Sequence, residues 1–194
     1  MPELPEVEVI SNFLLDKIKN KQISNVTVNN WNLRVPITKN IDDLLKGKVI
    51  NDIKRREPLT DEFSGGYLQE LLKNKKVNIK SALMDNKLIV GVGNIYASES
   101  LFRARISPLR SAKDLTYREC EKLAAEIKNT LSDAIAAGGS TLKDYAQPSG
   151  SAGYFQNNFY VYGKVQKPCK ICNNIITLIR QNGRSTYFCN ACQN

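Results

Sequence analysis

Apolar residues recur at helical spacing from the start of the chain: Leu4, Val7, Ile10, Leu14 and Ile18 predict a helix over residues 3–19. Its first turns carry Glu3, Glu6 and Glu8, where the helix dipole favours negative charge. The pattern then switches to period two. Residues 23–31 (ISNVTVNNW) are β-branched and alternating and read as a strand. A short helix is expected within 37–46, and Gly47 opens a second strand, KVINDIKRR. Two strands make a marginal sheet that must lean on something else. From residue 60 the period returns to that of a helix, with helices predicted at about 61–73, 79–84, 93–103 and 116–137. Thr116 with Glu119 forms a capping-box pattern, and Gly138-Gly139 stops the last of these helices. A Gly- and Ser-rich loop at 147–158 leads to a strand-like FYVYG.

The closing segment has its own chemistry. Cys169 and Cys172 are separated by two residues, as are Cys189 and Cys192, with sixteen residues between the pairs. Each pair supplies two thiolates from one tight turn. Four thiolates make the closed tetrahedral set of one structural Zn2+. Two disulfides or another thiolate-bound metal are the alternatives, and disulfides are disfavoured without a secretory leader. Between the pairs, Asn182-Gly183 is a hairpin turn signal flanked by two short strands. The fifth cysteine, Cys120, falls mid-helix and reads as a buried apolar filler.

Composition narrows the function. The chain of 194 residues is 42% hydrophobic, enough for one or two compact domains, and its formal net charge is +9. Such a balance suits a polyanionic partner. From residue 161 onward there are five lysines and arginines and no acidic residue, which favours phosphate contact. There is no histidine, so catalysis must use carboxylate, amine or thiol. No long apolar span is present, and the acidic start does not fit a leader peptide. The expectation is an intracellular protein of a bacterial-type cytoplasm or nucleoid, monomeric and without a membrane partner. Gly91 and Gly93 precede a helix in GVGN, which suggests backbone amides open to a DNA phosphate, with Asn94 near the cap.

These segments together resemble the formamidopyrimidine-DNA glycosylase family, which includes endonuclease VIII. The resemblance rests on MPELPEVE at the start, LMDNKLIVGVGNIYASESLF, GGSTLKDY, GYF, VYG and the spaced cysteine pairs, in that order. It implies an α+β fold with a β-sandwich, a helix–two-turn–helix domain and a β-hairpin zinc finger. It also implies a partner, double-stranded DNA containing oxidised purines or abasic sites. The activity implied is excision of 8-oxoguanine and formamidopyrimidines by an N-glycosylase, followed by β,δ-elimination at the abasic site. By the same resemblance Pro2, exposed on removal of Met1, is the nucleophile, Glu3 the general acid/base and Glu6 a supporting carboxylate. Lys80, Asn94 and Arg184 match phosphate-gripping positions, Tyr162 lies beside the site, and 147–158 matches the lesion-recognition region.

One departure is large. After Arg56 the chain passes directly to Glu57-Pro58-Leu59, where the family continues through most of its sandwich. About a third of a family chain is missing, with a catalytic-site lysine and the three residues that fill the gap left by a flipped nucleotide. The expected fold is therefore a truncated sandwich remnant with a leading helix over 1–56, a helical DNA-binding domain over 57–158 and a zinc module over 159–194. The alternative function is a non-catalytic or lyase-only DNA-binding remnant.

Overall fold

The computed structural model describes residues 3–28, 37–51, 58–140 and 153–194. Two compact units emerge, Met1–Val9 with Arg56–Asn194, and Ile10–Arg55.

In the larger unit, four helices enclose one core. They are α3 (Gly65–Leu72), α4 (Ile79–Leu83), α5 (Asn94–Ala104) and α6 (Tyr117–Ala136). Helix α3 begins four residues later than its apolar pattern suggests, because the Ser64 hydroxyl caps it by accepting from Tyr67 N–H at 3.3 Å. Asn78 caps α4 in the same way through Ser81 N–H. The capping box at Thr116 and Glu119 forms as expected. Leu68, Leu72, Ile79, Leu83, Leu101, Leu123, Ile127 and Leu131 are each no more than 1% exposed and fill the space between the helices. Cys120 is buried among them.

Arg110 ties the loop before α6 to its first turn through a paired hydrogen bond to Glu119 and a bond to the Asp114 carbonyl. The guanidinium holds the Glu119 carboxyl down at about 2. Because the folded value lies below the ordinary 4.5, this contribution is present above about pH 4.5 and is lost as pH falls towards 2. Replacing Arg110 with Ala is expected to lower stability by about 1 kcal/mol at pH 7, since both side chains remain partly solvated. Urea unfolding of the two proteins should show that difference shrinking between pH 4.5 and 2.

The smaller unit contains most of α1 (Leu4–Ile18) and a short α2 (Ile41–Leu45). The two predicted strands are not realised as strands in its described residues. Residues 20–23 and 47–50 exchange backbone hydrogen bonds around one isolated bridge, Gln22 to Val49. Period-two patterning needs neighbouring strands to become a ladder, and these segments find only one another. Residues 29–31 and 52–56 of the expected strands lie outside the described residues. Helix α1 also buries less than its pattern implies: Leu4 joins the core, while Val7, Phe13 and Leu14 stay exposed. No described helix is long and apolar enough to cross a membrane.

The zinc module packs around its own small core of Phe102, Val161, Ile176 and three of the cysteines. Strands β1 (Thr177–Gln181) and β2 (Arg184–Phe188) pair antiparallel, with Thr177 opposite Phe188 and Gln181 opposite Arg184. Asn182 and Gly183 take positive φ values of 47° and 73°, as a two-residue turn matched to strand twist requires. The expected strand FYVYG is absent. Its amides at Tyr160, Val161 and Tyr162 donate instead to the carboxylate of Glu99 at 2.8–3.0 Å.

Candidate active site and nucleic-acid interface

Helix α5 organises the site. Its first turn leaves amides without intrahelical acceptors, and Glu3 takes them. The Glu3 carboxylate accepts from Gly93 N–H at 3.0 Å, Ile95 N–H at 3.1 Å and Tyr96 N–H at 3.2 Å. Leu4 N–H donates to the Gly91 carbonyl at 2.9 Å, pinning the start of α1 alongside. The amides expected to face a DNA phosphate are therefore satisfied by an internal carboxyl. Local sequence favoured phosphate because the competing carboxylate lies some ninety residues away.

Burial pushes the Glu3 carboxyl up to about 7, helped by the charge of Glu6 and opposed by the three amides. A carboxyl poised there can give or take a proton near neutral pH. Glu6 is itself buried, with 3% exposure. It accepts from Glu3 N–H at 2.9 Å, Tyr96 O–H at 2.5 Å and Ser140 N–H at 2.9 Å.

Gly93 is required by this packing. A Cβ there would stand 2.3 Å from the Glu3 carboxyl carbon, so the carboxylate would have to leave its seat. Displacement of a reacting group by 1 Å can cost about 100-fold. Gly93→Ala is expected to lower base excision by about that factor with duplex affinity retained, measured by single-turnover cleavage beside a binding titration. Unchanged cleavage would show that the seat is not needed.

Lys80 is 1% exposed. Its ammonium donates to Asn94 Oδ1 at 2.5 Å, the Ser185 carbonyl at 2.8 Å and Thr186 Oγ1 at 2.9 Å. This joins α4, the start of α5 and the zinc hairpin. Burial pulls Lys80 down to about 8, with Glu3 opposing the change and Arg184 adding to it. Asn94 also donates to the Tyr162 hydroxyl at 3.4 Å. Arg184 is exposed at the start of β2, beside the turn. The structure thus brings together Glu3, Glu6, Lys80, Asn94 and Tyr162 and sets Arg184 near Lys80. Pro2 and residues 147–152 of the expected recognition loop lie outside the described residues. Glu99, Tyr96 and Ser140 fall within the family segments but showed no role there, because their partners are 44 to 134 residues distant.

The four cysteine sulfurs lie within 4.8 Å of one another. Cys169 and Cys192 are 3.9 Å apart and Cys172 and Cys189 3.4 Å apart. Thiolates at about 2.3 Å from a tetrahedral Zn2+ stand roughly 3.8 Å apart, so the cluster fits one structural zinc. Gln193, next to Cys192, donates to the Ile106 carbonyl and fastens the module to the segment after α5.

A carboxyl pair at a helix N-terminus, beside a buried lysine that joins that helix to a basic four-thiolate hairpin, belongs to an α+β protein with a metal-stapled module. The chain belongs to the formamidopyrimidine-DNA glycosylase family. Residues 1–57 match that family's N-terminal domain, 55–146 its H2TH domain and 166–194 the zinc finger found in FPG and IleRS. A formamidopyrimidine-DNA glycosylase of Wolbachia pipientis wMel is 69% identical, with all of both chains covered. That alignment runs over 271 positions against 194 residues here, so at least 77 positions have no counterpart in this chain. The N-terminal and H2TH matches meet at residues 55–57, the junction where the sandwich is interrupted. Among solved structures, the MutM (FPG) protein of Thermus thermophilus has a TM-score of 0.84 at 28% identity, covering 99% of this chain and 98% of its own. A mutant Lactococcus lactis FPG complexed with Fapy-dG-containing DNA has a TM-score of 0.83 at 25% identity, covering 99% of each chain. Among the described residues the full sandwich of these relatives is lacking, and the one sheet is the zinc hairpin.

Proposed function

We propose that the chain acts in base-excision repair, removing oxidised purines from double-stranded DNA and cleaving the resulting abasic strand. The observation that carries this reading is Glu3, a partly buried carboxyl seated on the amides of Gly93, Ile95 and Tyr96 at the start of α5 and pushed up to about 7. In the family chemistry the Pro2 amine attacks the sugar C1′. The base departs with a proton supplied by an acid, here assigned to Glu3. The proline nitrogen loses its proton, the C1′–O4′ bond breaks with a proton delivered to O4′, and the open-chain iminium so formed undergoes β- and δ-elimination. The target nucleotide must leave the stack to be reached.

Arg184, Asn94 and Lys80 are proposed as phosphate contacts. A phosphate arriving at Asn94 would take over one of the hydrogen bonds that Lys80 now gives to protein acceptors. The zinc staples the hairpin that carries Arg184 and takes no part in the chemistry. Residues 1–56, 57–158 and 159–194 are read as catalytic remnant, DNA-binding domain and zinc module, acting as a monomer in a bacterial cytoplasm or nucleoid.

A second reading is favoured by the interrupted sandwich: a lyase-only or non-catalytic DNA-binding remnant. The deciding experiment places an 8-oxoguanine duplex beside an abasic duplex. Cleavage of both supports the full reading. Cleavage of the abasic duplex alone supports the lyase-only form. Binding without cleavage of either refutes catalysis.

A further inference from the structure

Two neighbouring carboxyls, Glu3 and Glu6, are touched by a single residue. Tyr96 donates its backbone N–H to Glu3 at 3.2 Å and its phenol O–H to Glu6 at 2.5 Å. The phenol oxygen also lies 3.1 Å from Ser140 Oγ, whose own backbone N–H reaches the same Glu6 oxygen. Tyr96 is fully buried and its ring packs against Phe155 at 5.9 Å.

We propose that Tyr96 is a positioning residue that sets the two carboxyls apart, holding Glu6 by its phenol and so leaving Glu3 as the proton-bearing acid of the pair. Each carboxyl receives three donors: three amides for Glu3, and two amides and a hydroxyl for Glu6. Neighbouring carboxyls in a buried site do not both ionise readily. The asymmetry between them is the phenol, since a short O–H bond to a carboxylate is among the stronger hydrogen bonds. Burial and the charge of Glu6 push the Tyr96 hydroxyl well above its usual range, so it remains a donor throughout the working pH. Among the described residues, the other groups felt at Glu3 are Lys80 on α4 and Tyr162 beyond α6, with Arg184 of the hairpin acting on Lys80. Without the phenol, Glu6 has two donors and Glu3 still has three. The anion then belongs on Glu3, which can no longer supply a proton.

The inference rests on the acid role proposed for Glu3, and its test does not depend on cleavage. Glutamate labelled with carbon-13 at the carboxyl is titrated by NMR in the zinc-loaded protein and in Tyr96→Phe, which keeps the ring against Phe155. The Glu3 midpoint is expected to fall from about 7 by about one pH unit or more. Glu6→Gln, which removes the neighbouring charge, should move it in the same direction and serves if Tyr96→Phe fails to fold. Where cleavage is measurable, its high-pH limb should move with the midpoint. A Glu3 midpoint unchanged in a folded variant overturns the assignment. A shifted midpoint in a protein that cleaves nothing upholds the pairing while refuting the repair reading.

Discussion

Glu3→Gln is expected to reduce base excision by about 10²- to 10⁴-fold, the usual contribution of a positioned acid–base group. Duplex affinity should change little, because the carboxylate is turned inward onto α5 amides. The pH dependence carries a sign that can be checked. Glu3 acts as an acid, so its protonated form is the working one, and it sits at about 7. Excision by the parent should fall at low pH as the Pro2 amine takes up a proton, and should fall again along a high-pH limb, about tenfold per pH unit well above 7, as Glu3 loses the proton it must give. The glutamine variant should lack that limb. Stability follows the same group. A carboxyl raised from 4.5 to about 7 contributes stability that is fully present below about 4.5 and lost as pH rises through 7. Relative to the parent, the variant should therefore be more favourable at pH 8 than at pH 4.5. Single-turnover rates and urea unfolding at both pH values measure the two effects.

Removal of the zinc is expected to have the second large effect. Two five-residue strands and a core of a few side chains cannot fold alone, whereas binding of structural zinc supplies on the order of 10 kcal/mol. Cys189→Ser, or chelation of the metal, should release the hairpin and lower duplex affinity by about 100-fold or more. Arg184 would lose its fixed position. Lys80 would lose two of its three acceptors, the Ser185 carbonyl and Thr186, leaving a buried ammonium poorly satisfied. The damage should therefore reach the start of α5, although the helical core between α3 and α6 has its own apolar contacts and should persist. Far-ultraviolet circular dichroism with a binding titration separates these outcomes. Undiminished affinity in zinc-free protein would contradict the account.

What the sequence made legible was mostly local. The cysteine spacing and Asn182-Gly183 specify the hairpin, and the capping box specifies the start of α6, because each signal and its partner lie within a few residues. Buried partnerships across the chain were harder to see. GVGN reads correctly as a helix start, yet its amides bond the Glu3 carboxyl and not a phosphate. Lys80 carries a charge that suggests a surface grip, but three internal acceptors hold it in the core. FYVYG has strand composition, and Glu99 from α5 takes the amides that a neighbouring strand would have used. The segments at 23–31 and 48–56 have the right alternation for strands, but one bridge is all that forms in their described parts. The spaced cysteines, by contrast, identified the zinc ligands directly, and the family resemblance singled out Glu3 and Glu6, which the structure brings together at the start of α5.

Ancestry and competence separate at the interrupted sandwich. The seat of Glu3 is built entirely from Glu3–Glu6, α5 and Ser140, all within the larger unit, and it survives the loss of at least 77 aligned positions. The central claim is that this centre still performs amine-dependent chemistry on damaged DNA. Borohydride trapping tests it most directly, using zinc-loaded protein with Met1 removed and an abasic duplex that it binds. A covalent adduct is expected, with Pro2 in its modified peptide, and it should be lost on substitution of Pro2. A folded, DNA-bound protein that yields no adduct would contradict the claim.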